Sequence, residues 1–537
     1  MRVGASTRRG AENTAPTDRS KSAQHRFDSP ALILGVGAVL ALGVVLRFVC
    51  ASDLWADEVL SVNISKLPLG HIPGALRRDG APPLYYFLLH GWMRVFGTGP
   101  VSVRALSGGI GVLTLWPMWH VGRRLDERRV RLGLARAGSH TVAWSALLLL
   151  ALSPFAIRYS TEARMYSLVM LEVTVGYLAL VRALERPTGL RLVTVGLISA
   201  ALLYTHYWAF PLLGVVGAGL IVVVVRAVRA DRERRRAATL VAAALAAGAV
   251  LFLPWLSAFR FQLAHTGTPW GAPVSPFGSW ATTFKSFGGN AHLAGWALVV
   301  LILFGLFARA LDARRIEFDL ATRRGVRLEA AVATGALALG LVIGRLSGTT
   351  FEGRYASVVF PLFLVIGAFG VAIFSNPRVR ITVLASVLVL GAWGGVSNAA
   401  RNRTQAYQLA PIIRDHSVAG DVVLFCPDAI GTDVVGRLRL DLRVISFPSF
   451  TSPVRVDWVD YEQRVDAVRP GAFVDRVLRL AGTHTVWFVD TNNGTPSDQK
   501  CSKIADLLTL HRPGRVRELE PDRYFFEHQG LYRYPAN

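Results

Sequence analysis

The chain alternates long apolar runs with short connections crowded with arginine. A helix crossing a bilayer needs about 20 largely apolar residues, because the hydrocarbon is about 30 Å thick and each residue rises about 1.5 Å. Runs of that kind occur at 31–51, 101–121, 141–157, 165–183, 208–225, 238–259, 293–306, 328–343, 355–374 and 381–396, with a shorter one at 192–205. Charged residues make up only 18% of the 537, against about 25% in an ordinary soluble domain. A single water-soluble fold is thereby excluded.

The charge pattern sets the topology. Lys and Arg number 59 against 36 Asp and Glu, a formal net charge of +23. Such an excess can signal nucleic acid, but here it recurs between apolar runs, where basic residues mark cytoplasmic connections. No nucleic-acid partner is expected. The basic connections are 123–136, 182–191, 226–236, 309–327 and 378–380, together with the tail before the first run. The stretch 83–96 is apolar but short, aromatic and interrupted by His90 and Arg94. If it crossed, 123–136 would fall outside. If it lies along the outer surface as an interfacial helix, all six basic segments fall inside. The expected fold class is a polytopic α-helical membrane protein of about eleven transmembrane helices in the cytoplasmic membrane, N-terminus inside and C-terminus outside.

Three units follow. Residues 1–30 are polar, basic and without the apolar stretch of a signal peptide; they read as a disordered cytoplasmic tail. Residues 31–398 form the transmembrane module. Residues 399–537 change composition, with strand-like runs at 422–425, 444–447 and 486–489 and helical patterns at 432–438 and 502–510, and read as an extracytoplasmic α/β domain. Cys50, Cys426 and Cys501 are too few for a disulfide framework. Cys426 and Cys501 face an oxidising compartment, where pairing is open to them.

The outer connections carry the chemistry. Trp55-Ala56-Asp57-Glu58 places two adjacent acids just past the first run, and charges close to hydrocarbon are costly enough to be paired or functional. Asp79-Gly80-Ala81-Pro82-Pro83-Leu84-Tyr85-Tyr86 is a rigid turn leading to the interfacial helix, one wall of a cleft for Asp57. The second outer loop, 158–166, places Glu162 between Arg158 and Arg164, either as a second site acid or as an anchoring ion-pair cluster. Arg104 opens the second run and is a partner for Asp57 or Glu58, or an interface residue. His206 sits in another outer turn, where an aromatic-belt role is the simpler reading. Arg354 and Tyr355 bring a cation to the outer boundary, and Lys285 lies in a long outer loop. Acids and cations at one depth suit transfer of a sugar from a lipid phosphate. That leaving group needs no proton, so one carboxylate must deprotonate the attacking hydroxyl and cations must hold the phosphate.

In this order, the acid pair, Pro-Pro-Leu-Tyr-Tyr, the Arg of the second run and the short Glu-containing loop resemble the membrane glycosyltransferases of the GT-C class. The nearest are the protein O-mannosyltransferases (glycosyltransferase family 39) and the lipid A aminoarabinose transferases. The resemblance covers roughly 31–375. It implies Asp57 as general base, with Glu58 and Glu162 as the further acids of the catalytic set. It makes Arg354 and Tyr355 the clamp of the donor phosphate and Arg104 the arginine beside the acid pair; by position, Arg164 or Lys285 joins that clamp, and Tyr85 and His206 are supporting residues. Ala81 stands where the family often has His, and Glu162 where it often has Asp. The arginine-rich style and the C-terminal domain resemble actinobacterial cell-envelope members. The expected activity is inverting transfer of a sugar, mannose first, from a polyprenyl-phosphate donor to a hydroxyl of an envelope glycan, glycolipid or protein. Arabinosyl or aminoarabinosyl transfer is the alternative sugar chemistry. No Gly-x-Gly-x-x-Gly after a strand and no P-loop is present, which favours a lipid-linked over a nucleotide donor. No cofactor is implied, although a divalent cation beside the acid pair is compatible with the spacing. A transporter or flippase of a lipid-linked sugar is the rival; its key charges belong near the bilayer midplane.

Overall fold

The computed structural model describes residues 30–226, 231–267, 275–322, 324–491 and 496–536. The tail expected over 1–30 lies outside the described residues up to Pro30, as do 227–230 of one basic connection. The helices in chain order are α1 (Pro30–Val45), α2 (Ala56–Ser65), α3 (Ile72–Asp79), α4 (Leu84–Phe96), α5 (Pro100–Leu113), α6 (Leu115–Arg131), α7 (Thr141–Ala151), α8 (Pro154–Ser160), α9 (Tyr166–Glu185), α10 (Gly189–Thr205), α11 (Ala209–Arg226), α12 (Arg232–Leu251), α13 (Leu253–His265), α14 (Pro276–Phe287), α15 (His292–Phe307), α16 (Arg327–Leu346), α17 (Phe360–Val371) and α18 (Pro377–Ala400).

The arrangement is that of a polytopic helical membrane protein. By length and composition, 5 helices among the described residues suffice to cross a membrane, and up to 8 if each bent pair is one span. The bent pairs are α7 with α8 (51°), α12 with α13 (66°) and α14 with α15 (107°), and α1, α10 and α17 are shorter apolar helices. Every apolar run expected to cross falls on one of these elements. Leu190, Val225 and Leu346 stand exposed on their helices, as side chains facing lipid would.

The break between α7 and α8 has a readable cause. Pro154 has no N–H, so the carbonyl of Leu150 loses its helical partner. The Arg47 guanidinium takes its place, donating to Leu150 O at 2.7 Å and Ala151 O at 2.7 Å. Ser153 then caps α8, its Oγ accepting the Ala156 N–H at 3.2 Å. Segment 158–160, expected as loop, is consequently helical. Three further expectations are corrected. The run 355–374 opens with a 3-10 turn, Gly353–Val358, and is α-helical only over α17. The long outer loop 260–292 is largely helical, in α13 and α14. The basic connection 309–327 holds a small antiparallel hairpin, β1 (Ala308–Ala310) with β2 (Ile316–Phe318).

The C-terminal part adds α19 (Ala406–His416), β3 (Val422–Cys426), α20 (Thr432–Val435), β4 (Arg443–Ser446), α21 (Tyr461–Ala467), α22 (Pro470–Ala481), β5 (Val486–Asp490), α23 (Pro496–His511), β6 (Val516–Leu519) and β7 (Gly530–Tyr534). The sheet order is β4-β3-β5-β7-β6, with β3 parallel to β4 and β5, and β7 antiparallel to β5 and β6. Side chains of β3 alternate between two layers: Val422, Leu424 and Cys426 join the cluster under α22 and α23, Val423 and Phe425 the one under α19. Helix α20 is shorter than the pattern 432–438 suggested, and β6 and β7 were not expected. Their charged sequences read as strands only once β5 offers an edge. Cys426 and Cys501 form a disulfide.

Small residues let helices approach closely in lipid. A Cβ on Gly370 would lie 1.9 Å from the Leu301 carbonyl oxygen, and one on Gly305 2.5 Å from that of Ile366. Gly370→Ala is therefore expected to force α15 and α17 apart at a cost of about 1–3 kcal/mol, read as a lowered melting temperature of the purified protein in detergent. Gly109→Ala, where a Cβ meets nothing within 4 Å, is the neutral control.

Candidate active site

The connections assigned to the outer side meet at one end of the helical module. Trp55 precedes α2, so Asp57 and Glu58 fall in the first helical turn, where the helix dipole favours acids. Consecutive helical residues point about 100° apart, and the two acids face different surroundings.

Glu58 is fully buried and saturated. Arg104 donates to it through Nε at 2.8 Å and Nη2 at 2.5 Å, a two-pronged grip. The Ala163 N–H donates at 2.9 Å and the Trp55 N–H at 3.4 Å, and Arg403 stands 3.9 Å away. Burial alone would push this carboxyl up. The guanidiniums of Arg104 and Arg403 and the Ala163 amide more than offset it and hold the group below its ordinary range. Arg104 also donates to the carbonyls of Ser52 (2.6 Å) and Asp53 (2.9 Å). The pair thus ties α2, α5, the 52–53 loop and the second outer loop together.

Asp57 is different: its side chain keeps 28% exposure. Arg354 Nη1 donates to its Oδ2 at 2.8 Å, and Arg164 Nη2 lies 3.8 Å from the same atom. Its Oδ1 has no hydrogen bond among the described residues. Arg164 also donates to Ser61 Oγ (3.2 Å) and to the Tyr86 hydroxyl (3.4 Å). The Nε of Arg164 and that of Arg354 are buried without a hydrogen-bond partner among the described residues. Each cation therefore retains an unspent donor. Arg354 rests between the rings of Trp55 and Tyr355, 5.9 Å from each centroid, and Tyr355 stacks on Trp208 at 5.8 Å.

The other expected residues are placed as follows. Glu162 is buried behind this layer, 3.3 Å from Arg158 Nε and 3.8 Å from Arg403 Nη1. Burial raises its carboxyl despite both cations, and it does not touch Asp57. His206 lies between the rings of Tyr166 (5.7 Å) and Tyr355 (5.5 Å), its Nδ1 accepting the Trp208 N–H at 3.1 Å. Burial, with Arg164 and Arg354 nearby, pushes its imidazole down to about 3, so the ring is neutral. Tyr85 bonds Ser107 Oγ at 2.8 Å, and that hydroxyl donates to the Arg164 carbonyl at 3.2 Å. Lys285 is not brought to the cluster. It is exposed on α14, and a Cβ on Gly353 of the 3-10 turn would meet Ser286 and Thr282 instead.

Three contributors lie outside the expected set of site residues, although Asp79 stands in the turn expected to wall the cleft. Asp79, at the end of α3, accepts from the Tyr86 hydroxyl at 3.2 Å. Burial, with Asp57 nearby, pushes it up to about 6 although Arg164 pulls it down. Gly80 ends the helix at φ +90°, and a Cβ there would lie 2.9 Å from Thr266 Oγ1. That Asp-Gly helix stop was the signal available. Arg403 is 2% exposed and donates to Thr161 O (2.8 Å) and Thr161 Oγ1 (2.7 Å). Glu527 accepts the Ala56 N–H at 3.2 and 3.1 Å. Both lie beyond the region of family resemblance and carried no local signal. No group of three or more His, Cys, Asp or Glu is set to hold a metal among the described residues.

The fold is that of the GT-C class of membrane glycosyltransferases. The chain superposes on the crystal structure of ArnT from Cupriavidus metallidurans in the apo state, an aminoarabinose transferase, with a TM-score of 0.58 at 12% identity, over 94% of this chain and 98% of that one. Two other solved structures match with lower scores. ArnT from Cupriavidus metallidurans bound to undecaprenyl phosphate gives 0.45 at 12% identity over 95% and 99%. The arabinofuranosyltransferase AftD from Mycobacteria gives 0.47 at 14% identity over 94% of this chain and 42% of that one. No protein-family model and no curated protein sequence matches.

Removing one partner of a buried ion pair costs about 3–5 kcal/mol. Glu58→Gln, which leaves Arg104 buried without its counter-charge, is expected to destabilise by that amount in chemical unfolding. Because the folded Glu58 carboxyl sits below its ordinary 4.5, the wild-type contribution is complete above that pH and fades as pH falls through the folded value. Glu58→Gln should flatten that acid limb of the stability profile.

Proposed function

We propose that the chain is an inverting glycosyltransferase that takes a sugar from a polyprenyl-phosphate donor at the outer face of the membrane and passes it to a hydroxyl. The observation that carries this reading is a half-exposed carboxylate, Asp57, beside two buried guanidiniums, Arg354 and Arg164, each with an Nε donor unspent. Arg presents its N–H donors in a planar fork that matches a phosphate. In this reading Asp57 removes the proton of the acceptor hydroxyl as it attacks the anomeric carbon. The carbon–oxygen bond to the phosphate breaks on the opposite face, and the leaving phosphate keeps its electron pair against Arg354 and Arg164. The proton stays on Asp57 until solvent takes it. Tyr355 and Trp208 brace Arg354, and the neutral His206 adds no competing charge. Glu58, saturated by Arg104, holds the loop rather than reacting. Glu162 supports the second loop beneath the site.

The cluster joins the ends of helices and the loops between them, which supports an enzyme over a transporter whose charges belong at the midplane. The Cys426–Cys501 disulfide supports an oxidising compartment for the C-terminal part, and with it the orientation N-terminus inside. Mannose remains the first sugar in this reading and arabinose or aminoarabinose the second, the latter favoured by the likeness to ArnT. The acceptor is an envelope glycan, glycolipid or protein.

The test is a panel of polyprenyl-phosphate sugars incubated with the purified protein and candidate acceptors, reading which donor is consumed. Asp57→Asn is expected to lower transfer about 10²–10⁴-fold while the protein accumulates normally; full transfer by this variant ends the assignment. Arg354→Ala, losing a charge-assisted contact of about 1.5–3 kcal/mol, should raise the donor KM or lower kcat about 10- to 100-fold, measured by initial rates across donor concentration.

A further inference from the structure

The C-terminal sheet is turned so that the carboxyl ends of its parallel strands face the outer loops of the helical module. Parallel sheets present their working edge there. The segment after β3 reaches the 52–53 loop, Arg437 Nη1 meeting Asp53 Oδ2 at 2.8 Å. The segment after β4 meets α2, α3 and α13: Asn63 Nδ2 donates to Val454 O at 2.8 Å, Arg78 pairs with Asp457 at 2.5 Å, and the Asp460 N–H donates to His265 O at 2.8 Å. The stretch before β7 goes furthest in. Phe526 packs edge-on against Trp55 at 5.2 Å, and both Glu527 oxygens face the Ala56 N–H, the first free donor of the helix whose next residue is Asp57.

We propose that Glu527 is a positioning residue for Asp57, fixing the start of α2 from the C-terminal lobe. The inference rests on the reading of Asp57 as the base. Its backbone holds Glu527 in place: its N–H donates to Arg403 O at 2.8 Å and its carbonyl accepts from the Gln405 N–H at 3.0 Å. Arg403 is the same residue that enters the Glu58 and Glu162 cluster, so one isolated parallel bridge, Thr404 with Glu527, delivers both contacts. Asp433, 3% exposed and accepting from Thr404 Oγ1 at 2.5 Å, stands beside Glu527. Burial and that neighbouring carboxyl push Glu527 well up. What the Ala56 N–H needs is an acceptor oxygen at that place, and an amide would serve as well. An ordinary tie between lobe and module would hold the lobe on without affecting Asp57. A positioning residue instead sets where the carboxylate lies relative to the acceptor, and a misplacement of about 1 Å there costs about 10²-fold in rate.

Two readouts test this. The first is amide hydrogen exchange of the peptide covering 52–64, which needs no activity. Glu527→Ala should speed exchange there and Glu527→Gln should leave it near wild type. The second is kinetic: Glu527→Ala and the shortened Glu527→Asp should lower kcat about 10- to 100-fold with donor KM changed less than about twofold, and Glu527→Gln should restore it. Asp457→Asn, which breaks a contact at the lobe's rim, should leave kcat unchanged. Wild-type exchange in Glu527→Ala, or wild-type kcat in Glu527→Asp, overturns the inference. If Glu527→Ala does not accumulate, the Asp and Gln variants decide it. Absence of sugar transfer by the wild-type protein would overturn the functional reading instead, leaving the exchange result to stand by itself.

Discussion

The Glu58–Arg104 pair is the contact on which the outer end depends. Two charges lie out of water, and the desolvation cost is offset only because nearly every hydrogen-bonding position is filled. Glu58 takes two guanidinium donors and two backbone N–H groups, while Arg104 also serves two carbonyls. Those partners come from three separate stretches of chain: 52–58, the start of α5 and the second outer loop. Pinned to one ion pair, they form one frame.

Within that frame the two neighbouring acids divide their roles by geometry. One is consumed by structure and the other is left with an oxygen to spare. The same division recurs among the cations. Arg104 and Arg403 donate to backbone and stand against the buried Glu58, whereas Arg354 donates to Asp57 and Arg164 lies beside it. In the acid pair, the incompletely bonded member, Asp57, is the one left for reaction, and the fully bonded Glu58 belongs to the scaffold.

Much of this was written in the sequence. The apolar runs follow from bilayer thickness, and the recurrence of arginine between them follows from topology, so the helical frame was legible. Asp57, Arg164, Arg354 and Arg104 were legible because costly charges stood at span ends. What was not legible depended on distant partners. Lys285 looks like a site cation by loop position, but it stands exposed on α14 with no ion pair to the cluster among the described residues. Arg403 and Glu527 are ordinary-looking residues of a soluble-type segment, and only the docking of the sheet edge gives them meaning. Strands β6 and β7 needed β5 as a template. The helical state of 158–160 was signalled by Ser153-Pro154, a cap followed by a proline at the first helical position, and went unread because the surrounding charges suggested a loop.

The bend at Ser153-Pro154 has one more implication. A proline break inside an apolar helix is ordinarily a place where a protein can flex. Here the Arg47 guanidinium occupies the two carbonyls that the break exposes, and hydrocarbon offers them no water in exchange. Opening the angle further would cost both of these charge-assisted contacts. The kink is therefore a locked elbow, and α7 and α8 carry the second outer loop as one stiff strut.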